Sequence, residues 1–404
     1  MSWRELRDTI GERAAMNHPG ARRNGSAVKW VSIVGTRPQF VKLAPVTRAI
    51  EAHNARHVFP RIDHYIIHTG QHYDHDVNKL LFLQMEIPEP AYNLSAGSGS
   101  HGQQLARMLG RLEPILAAKR PDWVVVYGDT NSTLAGALLA ARLKLPIAHV
   151  EAGCRSDDAG MPEEQNRIVA DHLSQLLLAP SHSAIENLHR EGIGLKSDPL
   201  FRCATMVGDV MYDSLLQNLD IVESYAEENL RLYRLESKKY YLLTLHRAEN
   251  TASPECLQAI LDAVSSLDLP VLFPVHPRTR QILENAGIPL QGQLRPVAPL
   301  GYFEMLAMEK HARKILTDSG GVQKEAFYLG VPCITLRDRT EWPETVELGA
   351  NHIAGNTPDS IRAAVRADHQ RDWRTAVPYG DGKAAEKIVS QLLRPNSHIK
   401  FATA

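Results

Sequence analysis

The sequence predicts an α/β protein made of two doubly wound, parallel-sheet domains in tandem. Three observations carry that expectation. Short apolar runs recur along the chain, and most are continuous rather than alternating, the pattern of strands buried on both faces. Helical segments lie between them, and strand–helix–strand repetition gives parallel sheets. The runs fall into two sets on either side of Leu200–Asp213. Both domains are therefore Rossmann-like, and in such sheets ligands bind beyond the carboxyl ends of the strands. Two facing domains would then share one cleft.

Residues 1–28 are polar and Arg-rich and close on P-G-A-R-R-N-G-S-A, so they read as an extension outside the main fold. The first domain is expected over residues 29–203. Its strands are Trp30–Val34, Tyr65–Thr69, Trp123–Tyr127, Ile147–Val150 and Leu176–Ala179. Its helices are Lys42–His53, Gln104–Ala118, Asn131–Leu143, Glu163–Gln175 and Ser181–Glu191. The second domain is expected over residues 204–380. It carries strands at Tyr241–Leu245, Val271–Val275, Lys314–Thr317 and Cys333–Leu336, with helices at Glu255–Leu267 and Val322–Leu329. A last segment, 381–404, holds the apolar helix Ala384–Leu393, which is expected to pack back on the first domain.

Composition narrows the function. The chain has 404 residues, a net charge of -1 and 23% charged residues. Near-neutral balance argues against nucleic acid or a membrane surface as the main partner. Cys154, Cys203, Cys256 and Cys333 include no C-x-x-C pair, which fits a reducing compartment and a cytoplasmic protein. No G-x-G-x-x-G follows the first strand and no G-x-x-x-x-G-K-[ST] occurs, so no dinucleotide cofactor is expected. No metal is expected.

The most informative segment is K-I-L-T-D-S-G-G-V-Q-K-E-A-F-Y-L-G-V-P, Lys314 to Pro332. A buried strand meets a turn at Asp318-Ser319-Gly320-Gly321, and a helix follows. Adjacent glycines let the backbone turn and expose its N–H groups, and the helix directs its positive dipole end there. Such a corner suits a phosphate, with the Ser319 hydroxyl as a further donor. Glu325, on the first turns, is placed to accept from a ribose hydroxyl pair.

Other strand ends add groups. G-T-R-P-Q-F-V-K brings Arg37 and Lys42 to the cleft, and Arg pairs with a diphosphate in bidentate fashion. T-G-Q-H-Y-D presents Gln71 and His72, as ligand contacts or as loop hydrogen bonds. Asp129 ends Trp123–Tyr127 and is either the cap of the next helix or, with Thr130 or Asn131 capping, a free carboxylate. Glu151 ends a run that reads as buried. Such a Glu is rare unless paired, and burial raises its pKa. It is either a working group or the partner of Arg155 or Arg167. M-P-E-E-Q-N-R opens a helix, and Glu163 and Glu164 both suit its first turn. In the second domain, His246-Arg247 and His276-Pro277-Arg278 end strands around the same anion site, and Arg337 follows the last strong strand. A nucleotide diphosphate carrying a sugar fits this set best. Cations and a helix dipole would stabilise the leaving diphosphate, while Asp129, Glu151 and Glu163 would move protons on the sugar.

Seven motifs in order, G-T-R-P-Q-F-V-K-L-A-P, T-G-Q-H, Y-G-D-T-N-S-T, H-V-E-A-G-C-R-S, M-P-E-E-Q-N-R, L-H-R-A-E-N and D-S-G-G-V-Q-K-E-A, resemble the non-hydrolysing UDP-N-acetylglucosamine 2-epimerases over about Val31–Gly355. The resemblance implies the GT-B architecture, a homodimer, and inversion at carbon 2 by anti elimination of UDP through a glycal. It implies Asp129, Glu151 and Glu163 as acid–base groups and His246 beside the diphosphate. Arg37, Lys42, Ser319, Gly320, Gly321 and Glu325 would bind UDP. Two positions depart from the family pattern. Gln39 stands where Glu is common, and Cys154 where Leu is common. A GT-B glycosyltransferase, a hydrolysing 2-epimerase and a non-catalytic UDP-sugar sensor are the alternatives. The sugar is either N-acetylglucosamine or a modified relative such as a diacetamido uronic acid.

Overall fold

The computed structural model describes residues 27–71, 75–367 and 373–394. Among the described residues thirteen strands form two all-parallel sheets. The first contains β1 (Val28–Val34), β2 (Ile62–His68), β3 (Tyr92–Asn93), β4 (Trp123–Tyr127), β5 (Ile147–Val150), β6 (Leu176–Ala179) and β7 (Cys203–Met206), in the order β3-β2-β1-β4-β5-β6-β7. The second contains β8 (Tyr241–Thr244), β9 (Val271–Pro274), β10 (Leu294–Val297), β11 (Lys314–Thr317), β12 (Cys333–Thr335) and β13 (Asn351–Ile353), in the order β10-β9-β8-β11-β12-β13. Both orders reverse once, between β1 and β4 and between β8 and β11. Those reversals are the switch points where doubly wound sheets take ligands.

The inner strands are the continuous apolar runs. W-V-V-V-Y of β4 is buried at every position, because helices cover both faces of the sheet. The expected boundary after residue 203 falls inside β7, which pairs with β6 and belongs to the first sheet. C-A-T-M is short, lies at a sheet edge and carries little strand signal. The same explains β10, L-R-P-V, where proline is tolerated because the strand is an edge.

Helices Val210–Gln217 and Leu219–Leu232 connect the sheets. The first packs on Arg37–Ala55 and touches Gly320–Tyr328, and the second packs on Tyr302–His311. One apolar cluster, including Phe40, Val210, Phe303 and Ile388, joins the two domains. Helix Ala384–Leu393 packs on Arg37–Ala55 of the first domain. Trp123 Nε1 donates to its Leu392 carbonyl at 3.1 Å, and the Asp213 carboxylate accepts from Ala384 and Ala385 N–H at its start. Among the described residues no helix is long and apolar enough to cross a membrane.

Candidate active site

A cleft of about 790 Å³ opens between the two switch points, within the size range of a small-molecule site. Arg37 and Lys42 reach it from the helix after β1, Asp129 from the end of β4, Glu151 from the end of β5, and Glu163 and Arg167 from helix Pro162–Leu173. His246, Arg247, Arg278, Ser319, Gly320, Gly321, Glu325 and Arg337 face them from the second domain, and Gln71 also lines the wall. Among the described residues, one expected group is not brought to the wall. His276 sits beside the site, its Nδ1 accepting from Arg278 N–H at 3.3 Å to cap the next helix. His72 lies outside the described residues, as do residues 1–26 of the expected extension.

The turn at Asp318-Ser319-Gly320-Gly321 forms as its residues require. Ser319 is the N-cap of helix Gly320–Tyr328, and its hydroxyl accepts from Val322 N–H. The cap thus satisfies the third amide and leaves those of Gly320 and Gly321 as first-turn donors beside the cleft. A Cβ at Gly320 would stand 3.2 Å from Glu341 Oε2, so the loop passes tightly there. Asp318 is fully buried and receives His246 N–H at 3.0 Å, Arg247 N–H at 2.9 Å and His246 Nδ1 at 2.9 Å. Burial pushes the Asp318 carboxyl up, but the His246 side chain and these N–H donors outweigh it and hold it below its ordinary value. This grip orients His246 with Nε2 left for the cleft. Burial raises the Glu325 carboxyl, against the pull of Arg37, Lys324 and Lys42.

On the opposite wall, Thr130 rather than Asp129 caps helix Asn131–Arg142, accepting from Ser132 N–H. Asp129 is left to pair with Arg167 at 2.5 Å. Glu164 is the structural member of the glutamate pair. It is buried and accepts from Ser156 N–H and from Arg167. Glu163, with 41% of its side chain exposed, faces Arg247 across the cleft at 3.9 Å.

Glu151 differs from expectation. Its partners are Lys42 at 2.9 Å and Lys324 at 2.8 Å, not Arg155 or Arg167. Arg155 is taken by Asp171 and Glu191. Burial pushes the Glu151 carboxyl up, as expected, but Lys324 and then Lys42 overcome it, so the group lies well below the usual carboxylate range. Its backbone is left-handed, with φ 71°. Lys324, Asp209 and Tyr328 were missed by sequence reasoning. Lys324 reads as an ordinary polar position in V-Q-K-E-A, and Asp209 as a linker residue. The available signal was Lys324 on the helix face that also carries buried Phe327.

Gln39 is buried. Its Nε2 donates to Tyr127 C=O at 2.9 Å and to Thr133 at 3.0 Å, while Oε1 accepts from Gly35 N–H at 2.8 Å. An amide supplies both polarities there. Cys154 packs with Ala184, Phe327 and Tyr379 behind the cleft. Among the described residues no set of His, Cys, Asp and Glu side chains is arranged to hold a metal.

Two parallel, doubly wound sheets that share one cleft define a GT-B-like fold. The family model for UDP-N-acetylglucosamine 2-epimerase matches residues 54–393. The chain is 47% identical over 369 residues to a UDP-N-acetylglucosamine 2-epimerase homolog of Methanococcus maripaludis, covering 90% of this chain and 99% of that protein. It is 42% identical over 375 residues to the UDP-2,3-diacetamido-2,3-dideoxy-D-glucuronate 2-epimerase of Pseudomonas aeruginosa, covering 91% and 100%. The crystal structure of the Methanocaldococcus jannaschii UDP-GlcNAc 2-epimerase in complex with UDP-GlcNAc and UDP superposes with a TM-score of 0.80 at 43% identity, covering 90% of this chain and 99% of that one. The chain belongs to the UDP-N-acetylglucosamine 2-epimerase family of isomerases.

Proposed function

We propose that the protein inverts carbon 2 of UDP-N-acetylglucosamine or of a carbon-3-substituted relative, including UDP-2,3-diacetamido-2,3-dideoxy-D-glucuronate. One observation carries this reading. The amide-bearing start of helix Gly320–Tyr328 and the carboxylates Asp129, Glu151 and Glu163 line the same cleft from opposite domains. The first suits the handle of the substrate, the second its ring.

In the forward direction a carboxylate takes the proton from carbon 2. The electrons of that C–H bond form the C1=C2 double bond, and the C1–O bond breaks with its pair leaving on UDP. Arg37, His246, Arg278 and the Gly320 and Gly321 amides meet the charge that the diphosphate gains. UDP then adds back to carbon 1 while a proton is delivered to the other face of carbon 2. Inversion needs a group on each face. Glu151, enclosed on the floor, serves one, and Glu163 with Asp129 serves the other. Glu325 accepts from the ribose, and Gln71, Arg167 and Arg337 surround the sugar. We propose a cytoplasmic homodimer as the working form, which sedimentation would check.

The test is purified protein with each UDP-sugar in deuterated water. Deuterium enters carbon 2 of substrate and product if the reading holds. Tight UDP binding without exchange in any UDP-sugar overturns it, and release of free sugar with UDP indicates hydrolysis instead.

A further inference from the structure

We propose that Lys324 is a positioning residue that links the diphosphate-facing helix to the reacting carboxylate, Glu151. The identity of the reaction rests on the reading above; the contacts do not. Lys324 lies four residues into helix Gly320–Tyr328, about 6 Å along the axis from the first-turn amides. Its side chain is 1% exposed. Nζ reaches Glu151 Oε2 at 2.8 Å and Asp209 Oδ2 at 2.6 Å, and stands 4.0 Å from the centre of the Trp342 ring. Two carboxylates and an aromatic face thus surround one ammonium.

The contacts tie three pieces of chain together. Glu151 ends β5 of the first sheet. Asp209 caps the linking helix Val210–Gln217, accepting from Met211 N–H at 2.8 Å, and also accepts from Tyr328 OH at 2.6 Å. Lys324 itself belongs to the helix whose start faces the diphosphate. A ligand that settles on Gly320 and Gly321 therefore engages the same rigid element that grips Glu151.

Glu151 needs such a grip. A residue with a Cβ adopts φ 71° at a cost, and keeps it only where the surroundings impose it. Lys42 holds one carboxylate oxygen and Lys324 the other. The remaining titratable neighbours of the pair are Cys154, Tyr328, Glu325 and Asp209, with Tyr379 behind Asp209. Lys42 and Lys324 are thus the cations in direct contact with Glu151, one from each domain.

The test compares wild type with K324Q, K324R and the double variant K324M/D209N. The double variant removes the ammonium together with one of its anions, so no new unpaired charge is buried. Three readouts are taken: UDP affinity by calorimetry, deuterium exchange at carbon 2 against pH, and titration of the Glu151 carboxyl by carbon-13 NMR, assigned with E151Q. In K324Q and in the double variant the acidic limb of exchange and the Glu151 midpoint should both rise by about one to three pH units. Exchange at neutral pH should fall about 100-fold. UDP affinity should stay within a few fold of wild type, and K324R should restore the limb. A folded double variant with the wild-type limb and midpoint overturns the proposal. So does K324R behaving like K324Q, which would make the site a packing position. If wild type itself exchanges no deuterium, the epimerase reading fails, and the Glu151 midpoint alone still decides the role of Lys324.

Discussion

His246 Nδ1 stands 2.9 Å from Asp318 Oδ1, and the same buried carboxylate receives the backbone N–H groups of His246 and Arg247. The residue before the glycine turn thus sets a histidine in the loop that follows the neighbouring strand β8. Asp318 and Ser319 divide the corner between them: one fixes the cleft-facing imidazole, the other caps the helix.

Asp318→Asn should therefore do more than remove a charge. Asn has one acceptor oxygen where the carboxylate has two, and its NH₂ would face existing donors. Stability should drop by about 1–3 kcal/mol, read by urea denaturation. Turnover should fall while UDP affinity changes less, because the proton of His246 is no longer held on Nδ1. Wild-type turnover in a folded D318N protein would show that His246 needs no orientation.

The two glycines should separate under substitution. A Cβ at Gly320 meets Glu341 and Trp342 within 3.4 Å, whereas one at Gly321 meets only Ser319 Oγ at 3.8 Å. Gly320→Ala should lower stability. Gly321→Ala should leave stability equal to wild type or raise it by about 0.5–1 kcal/mol, yet weaken UDP binding by crowding the diphosphate. Calorimetry alongside denaturation checks both. Unchanged UDP affinity in G321A would place the diphosphate elsewhere.

Asp213 gives a pH prediction of unusual sign for a carboxylate. It is 2% exposed. Burial pushes it up to about 6, against the pull of the Ala385 and Ala384 N–H groups. A raised acid is protonated in the folded chain while ionised in the unfolded one, so stability is lost as pH rises from about 4 to about 6. The loss is at most about 3 kcal/mol. Asp213→Asn should flatten that part of the stability–pH curve. An identical slope in both proteins would show that Asp213 is not the titrating group.

The legible part of this protein lies where residues act locally. Continuous runs such as W-V-V-V-Y marked β4, β5, β6 and β11 to the residue and the other inner strands to within a few residues, and D-S-G-G announced its own turn. Thr130 and Pro162 placed their helix starts through side-chain and φ preferences that act within one turn. The edge strands β3, β7, β10 and β13 carried no such mark, because their pairing comes from neighbours distant in sequence. The same holds for the partners of Glu151. Burial was readable from V-E-A, but Lys324 lies 173 residues away. The direction of its pKa therefore depended on a contact that only the fold creates.

Glu151→Gln is the substitution that separates charge from shape. The amide fills the same volume, so the left-handed turn at φ 71° can persist. Lys42 then loses its anion, while Lys324 keeps Asp209 at 2.6 Å. One uncompensated buried cation costs about 3–5 kcal/mol, so the variant should melt earlier but still fold, which circular dichroism checks. The proposed UDP contacts come mainly from the other domain, so UDP affinity should stay within a few fold. Deuterium exchange at carbon 2 should fall by about 10²–10⁴-fold, the contribution of a placed proton-transfer group. Loss of UDP binding with intact melting would instead make Glu151 a ligand-holding residue. Retained exchange would move the proton transfer to Asp129 and Glu163.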